Sequence, residues 1–99
     1  MDFSTSKADG VTTLRIEGEL DAVTVSQIRP TIDALVAEHP ARVVIDVTDL
    51  RLVDSSGVGA LVFLYKHAKE YGGVVTVQGL RDQPLSIFRL LRLDRVLAA

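Results

Sequence analysis

No cysteine and no tryptophan occur in these 99 residues, and methionine appears once. The missing thiols exclude disulfides, thiolate nucleophiles and Cys-based zinc sites together, and they fit a reducing compartment. Aromatic residues reach only 5% against 47% for all apolar residues, so the core must be built from aliphatic side chains. An excess of one charge is missing too: 11 basic and 13 acidic residues leave a net charge of −2, with no basic run. Affinity for nucleic acid rests mainly on clustered Lys and Arg, so nucleic acid is not an expected partner. No apolar run approaches the roughly 18–20 residues that span a bilayer, which argues against direct membrane insertion. The opening MDFSTSKADG lacks the basic start and apolar stretch of a signal peptide. One cytoplasmic domain over residues 1–99 is the expectation, large enough for a single core and too small for two.

What is present is an alternation of strand-like and helix-like segments. Asp2 to Lys7 alternates weakly, Asp9-Gly10 is a hairpin signal, and Val11 to Leu20 (VTTLRIEGEL) is rich in β-formers. From Asp21 to Glu38 the period changes, with Val25, Ile28, Ile32, Leu35 and Val36 on one helical face and Thr24 as N-cap. Pro30 removes one helical hydrogen bond and predicts a late start or a kink; His39-Pro40 ends the helix. Arg42 to Val47 (RVVIDV) has the composition of a strand buried on both faces. TDLRLVD reads as a loop before a second helix from Ser56 to Tyr71, stopped by Gly72-Gly73. On that helix Val58, Leu61, Val62, Tyr65 and Ala68 form the predicted core stripe, with Gly59, Ala60, Phe63, Lys66, His67 and Glu70 opposite. Val74 to Gln78 is a strand, Pro84 to Leu91 a third helix opened by Asp82 or Gln83, and Val96 to Ala98 a short edge strand. The pattern predicts an α/β fold: a single-layer mixed sheet of four to five strands with about three helices. An N-terminal antiparallel hairpin opens the sheet and the remaining strands are parallel.

In such sheets ligands and partners gather beyond the C-terminal ends of the parallel strands. Two loops fall there, GELDAVT at 18–24 and DLRLVDSSG at 49–57. The second leads into a helix N-terminus, where free N–H groups favour negative charge. Asp54 or Ser55 as a plain helix cap, with the glycines allowing close packing, is the simplest account of DSSG. It leaves a cost unexplained, because Gly57 and Gly59 in the first two turns each cost up to ~1 kcal/mol relative to Ala. Small residues around a hydroxyl suit a place where another protein comes close. A serine hydrolase is excluded, since V-D-S-S-G lacks the first glycine of the nucleophile elbow and neither His39 nor His67 is placed as a base. No phosphate-binding G-x-x-x-x-G-K-[ST] occurs, and Asp46, Asp49 and Asp54 have no His or Cys nearby to complete a metal site. Phe63, one turn beyond Gly59, is either an apolar contact for a partner or covered by the third helix.

GELD at 18–21, VVIDVTDLRLVDSSGVGAL at 43–61, GG at 72–73 and LLRLDRVL at 90–97 together resemble the STAS domain family, in its bacterial anti-sigma factor antagonist form. The resemblance spans about four-fifths of the chain. It implies that Ser55, the hydroxyl after Asp54, is phosphorylated by an anti-sigma factor that is also a serine kinase of the histidine-kinase-like ATPase type, with Ser56 as the neighbouring alternative. It implies a partner surface of Glu19, Asp21, Asp54, Ser55, Ser56, Gly57, Gly59 and Phe63, and reversal by a metal-dependent serine phosphatase. ATP and magnesium would belong to the kinase, and this chain would bind no cofactor or metal and catalyse nothing itself. A STAS accessory subunit of a lipid or anion transporter, and a small-ligand sensor, are the alternative roles. The sequence departs from the family in Pro30 and in ending just after LDRVL.

Overall fold

The computed structural model of the chain describes residues 1–97. Strands β1 (Asp2–Ala8) and β2 (Val11–Leu20) form an antiparallel hairpin, with Phe3 opposite Ile16 and Ala8 opposite Val11. Asp9 and Gly10 between them both have positive φ, the backbone that a tight Asp-Gly hairpin requires. Helix α1 (Val25–Ala37), strands β3 (Arg42–Asp46) and β4 (Leu50–Val53), helix α2 (Ser55–Glu70), strand β5 (Val74–Gln78) and helix α3 (Asp82–Leu90) follow. The sheet order is β1-β2-β3-β5, with β3 parallel to both β2 and β5. This is the predicted α/β architecture.

Where the sequence pattern predicts a loop, the structure has strand β4. It pairs in parallel with the last residues of β2, Gly18 opposite Leu50 and Leu20 opposite Val53. The register shifts between Gly18 and Glu19, and Gly18 has φ +90°, a conformation that costs little only without a side chain. That bulge lets β2 run along β3 and then take up β4. The four residues LRLV are too few to show a strand period by themselves.

Leu14, Ile16, Val43, Ile45, Val75 and Val77 from the sheet join Ile28, Ile32 and Leu35 of α1 and Val58, Leu61 and Leu64 of α2 in one buried cluster. The neighbouring row Thr13, Val44 and Thr76, in register across three strands, is only half-buried, and Arg15 beside it is exposed. So β3 is not buried on both faces, as its composition suggested; alternate side chains look away from the core. The stripe on α2 is also rotated from the predicted one. Ala60 is fully buried and Leu64 belongs to the core, whereas Val62 and Tyr65 are half-buried. Helix α2 packs against α1 as well as the sheet, and the second neighbour widens its buried arc.

Other details follow physical rules in a different way than expected. Helix α1 starts at Val25 and continues through Pro30 without a late start. Both Pro30 and Ser26 are exposed, so water can serve the Ser26 carbonyl that lacks an amide partner. Helix α2 closes as predicted, with Gly72 and Gly73 donating to the Lys69 and Ala68 carbonyls. Val96 and Leu97 form a turn rather than a strand, although the Leu97 carbonyl accepts from the Val77 N–H. Ala98, the end of that expected strand, lies outside the described residues. Pro30→Ala is expected to restore the missing bond and raise stability by about 1–3 kcal/mol, read as a higher urea midpoint at unchanged slope.

Candidate functional site

Asp54 stands in extended conformation at the N-cap of α2. One carboxylate oxygen accepts the Gly57 N–H at 2.9 Å, and the other accepts the Ala22 N–H at 3.0 Å. The Asp54 N–H in turn donates to the Leu20 carbonyl at 3.2 Å. A single residue therefore caps the helix and fastens the 18–24 loop to it, which brings together the two loops singled out in the sequence.

The 18–24 loop is also braced internally. Asp21 accepts the N–H groups of Thr24 at 2.9 Å and Val23 at 3.0 Å. Thr24 occupies the predicted cap position of α1, but its hydroxyl makes no cap bond there. It accepts the Asp21 N–H at 2.9 Å and reaches the Glu19 carbonyl at 3.0 Å. The Thr24 N–H, more than any other group, holds the Asp21 carboxyl below its ordinary range.

Ser55 and Ser56 are the first two residues of α2, and both are exposed. The two glycines beside them differ. Gly57 is buried, and a Cβ there would stand 2.5 Å from the Leu20 carbonyl and 2.6 Å from Val53. Its role is close packing of α2 on β2 and β4, as the plain helix-cap reading expects, and being buried it does not belong to the partner surface that the resemblance implies. Gly59 is exposed, and a Cβ there would meet nothing within 4 Å.

Phe63 is half-buried, stacked on His67 with ring centroids 4.0 Å apart and with the Arg29 guanidinium 5.1 Å from its centroid. That cover comes from α2 itself and from α1 rather than from the third helix. His67, expected to be solvated, bonds the Phe63 carbonyl through Nδ1, and His39 stacks on Tyr71. Both imidazoles are thus engaged elsewhere than at Ser55.

The acids around the loops are largely matched. Glu19 pairs with Arg51 at 3.3 Å, and Asp49 pairs with Arg15 and with Arg81 at 3.9 Å. Among the described residues no three His, Asp or Glu side chains converge as metal ligands would. A surface cleft lined by Lys7, Gly10, Val11, Thr12, Glu38 and Pro40 lies at the other end of β2. No helix of the described residues is long and apolar enough to cross a membrane.

Three features of the site carried no sequence signal. Val23 and Leu52, 79% and 40% exposed, border it as apolar side chains. The Gln83 side chain, expected as a cap, instead bonds the backbone of Val53 through both its amide atoms. The cap position of α3 is held by Arg81 without a side-chain bond.

Gly57→Ala is expected to lower stability by about 1–3 kcal/mol through overpacking, whereas Gly59→Ala is expected to raise it by up to ~1 kcal/mol; urea titration of both variants reads the opposite signs. The depressed Asp21 carboxyl contributes stability that is complete above its unfolded value of about 3.9 and lost as pH falls through the lowered folded value. Asp21→Asn is therefore expected to flatten the loss of stability below about pH 4, measured by denaturation across that range.

A family model described as "Mlab, STAS domain" matches residues 3–98. An anti-sigma F factor antagonist of Paenibacillus polymyxa is 32% identical over 69 residues, covering 69% of this chain and 59% of that protein. An anti-sigma-B factor antagonist of Listeria monocytogenes is 23% identical over 82 residues, covering 83% of this chain and 72% of that protein. Among solved structures, a putative anti-sigma factor antagonist from Thermotoga maritima aligns with a TM-score of 0.88 at 20% identity, covering 97% of this chain and 83% of that one. The phosphorylated form of the Bacillus cell fate determinant SpoIIAA aligns with a TM-score of 0.78 at 21% identity, covering 97% and 88%. A sulfate transporter family protein from Wolinella succinogenes shares the fold at 16% identity with a TM-score of 0.75, covering 92% and 74%. With its sheet order, its loops and its matched length, this chain belongs to the STAS domain family.

Proposed function

We propose that this chain is an anti-sigma factor antagonist whose binding is switched off by phosphorylation of Ser55. In the unmodified form it would engage an anti-sigma factor that is also a serine kinase, and so release the sigma factor. A metal-dependent serine phosphatase would restore that form. The observation that carries the reading is the setting of Ser55: an exposed hydroxyl at the first residue of α2, directly after a carboxylate that locks two loops. The named relatives, and the phosphorylated state of a protein of the same fold, support it.

The kinase would supply ATP and magnesium, and this chain the acceptor oxygen. The Ser55 oxygen would take the γ-phosphoryl group, its proton passing to a base of the kinase and ADP leaving. Nothing in the fold obstructs the product. Phosphoserine adds roughly −1.5 to −2 charges, and the free N–H groups at a helix N-terminus favour an anion. The effect would fall on the partner. The exposed surface around Ser55 and Ser56 includes Gly59 and borders on Val23 and Leu52, and a bulky dianion at its centre would hold a closely fitted protein away. Glu19 and Asp49 already have arginine partners, whereas Asp54 and Asp21 are held by backbone N–H groups, so the new charge would add to the two carboxylates beside it. The domain would keep its backbone.

Incubation with the cognate kinase and ATP, followed by peptide mass spectrometry, is expected to place one phosphate on Ser55 and none in Ser55→Ala. Phosphate persisting in Ser55→Ala would move the site to Ser56. Absence of transfer from the kinases encoded beside the gene, with binding to a transporter subunit instead, would replace the reading. Phosphorylated protein is expected to bind the kinase at least about tenfold more weakly, at an unchanged far-UV spectrum.

A further inference from the structure

Strand β4 ends at Val53, one residue before Asp54 and two before Ser55. In a parallel ladder alternate residues turn their backbone groups toward opposite neighbours. The Leu20 carbonyl takes its bond from Asp54, so the N–H and C=O of Val53 point away from β2. Both are satisfied by one side chain 30 residues on: the Val53 N–H donates to Gln83 Oε1 at 2.9 Å, and Gln83 Nε2 donates to the Val53 carbonyl at 2.8 Å. The primary amide thus stands in for one residue of a neighbouring strand. Two residues earlier, Arg81 grips the other end of β4: its Nε donates to the Thr48 carbonyl at 2.9 Å, and its guanidinium lies 3.9 Å from Asp49. Asp82 between them takes φ +52°, a left-handed conformation that Asp tolerates better than most residues. The start of α3 is therefore a splint along β4, with one tie before the strand and one at its end.

We propose that Gln83 is a positioning residue for the phosphoacceptor loop. By filling both outward backbone groups of Val53 it fixes the direction in which the chain enters Asp54. That direction keeps the Asp54 carboxylate on the Ala22 and Gly57 N–H groups, and it aims Ser55 outward. Helix α3 makes no contact with Ser55 of its own in this scheme; it acts through β4 and Asp54. The inference about geometry stands without any kinase, whereas its consequence for phosphoryl transfer rests on the function proposed above.

The test is hydrogen exchange of the full chain, comparing wild type with Gln83→Met, which keeps the length of the side chain and removes both bonds. The Ala22 and Gly57 amides, both held by Asp54, are expected to exchange about tenfold faster, while the Leu14 and Ile45 amides within the sheet keep their wild-type rates. Gln83→Asn, with the same amide on a shorter arm, serves if Gln83→Met does not fold, and the same two amides are expected to respond. Unchanged protection at Ala22 and Gly57 in a folded variant overturns the proposal, as does a uniform rise across the sheet, which marks general loosening. With the cognate kinase, the folded variant is expected to lose about tenfold in kcat for Ser55 with KM little changed. A normal kcat overturns the catalytic consequence alone. Failure of the wild type to be phosphorylated overturns the proposed function and leaves the exchange result to decide the positioning role.

Discussion

The site depends on one carboxylate holding two backbone amides that belong to different loops. Asp54 meets Gly57 on its own helix and Ala22 on the loop after β2. An N-cap of this kind contributes about 0.5–2 kcal/mol to helix stability, and the second bond uses the same charge to fix a segment 32 residues away. The surroundings make this possible. The bulge at Gly18 delivers β2 to β4, the missing side chain of Gly57 lets α2 sit against Leu20 and Val53, and Asp21 and Thr24 fold the loop so that the Ala22 N–H faces Asp54. What results is an exposed serine on a framework tied together by hydrogen bonds from three segments.

Bonding of that kind suits the proposed switch, which acts by contact rather than by refolding. If the loops were loose, a phosphate could be absorbed by local rearrangement, and a partner would sense it weakly. Here the acids on either side are bonded to amides or arginines, so the framework around Ser55 is already satisfied. The contrast between the glycines makes a related point. Gly57 is required by the fold itself. Gly59 is not: it lies open on the same helix, at a cost of up to ~1 kcal/mol relative to Ala, and the domain gains nothing from it in packing.

Much of this was legible in the sequence, and the rest was hidden for physical reasons. The hairpin at Asp9-Gly10, the parallel strands and the meeting of the two loops follow from turn chemistry and hydrophobic period. Strand β4 was missed because LRLV is short and its partner is reached only through a bulge in β2. The stripe on α2 differs because the period shows one buried face, whereas α2 packs against both α1 and the sheet and also buries Ala60 and Leu64. Asp54 was legible as a cap but not as a bridge, since Ala22 contributes only its backbone N–H and a backbone donor leaves no mark in the residue type. Gln83 read as a helix opener for the same reason: its partner is the main chain of Val53. At Phe63 the stacking of His67 follows from their spacing of four residues on α2, whereas Arg29 is brought to the ring only by the packing of α1 on α2.

In the proposed function a charge at Ser55 changes what the surface binds while the framework beneath it stays fixed. That claim is tested most directly by recording amide proton–nitrogen spectra of unmodified and Ser55-phosphorylated protein, each titrated with the anti-sigma kinase. The account predicts shifts confined to residues 20–24 and 52–60 on phosphorylation, with line broadening by the kinase seen only in the unmodified form. Shifts spread through the whole sheet, or equal broadening of both forms, would contradict it.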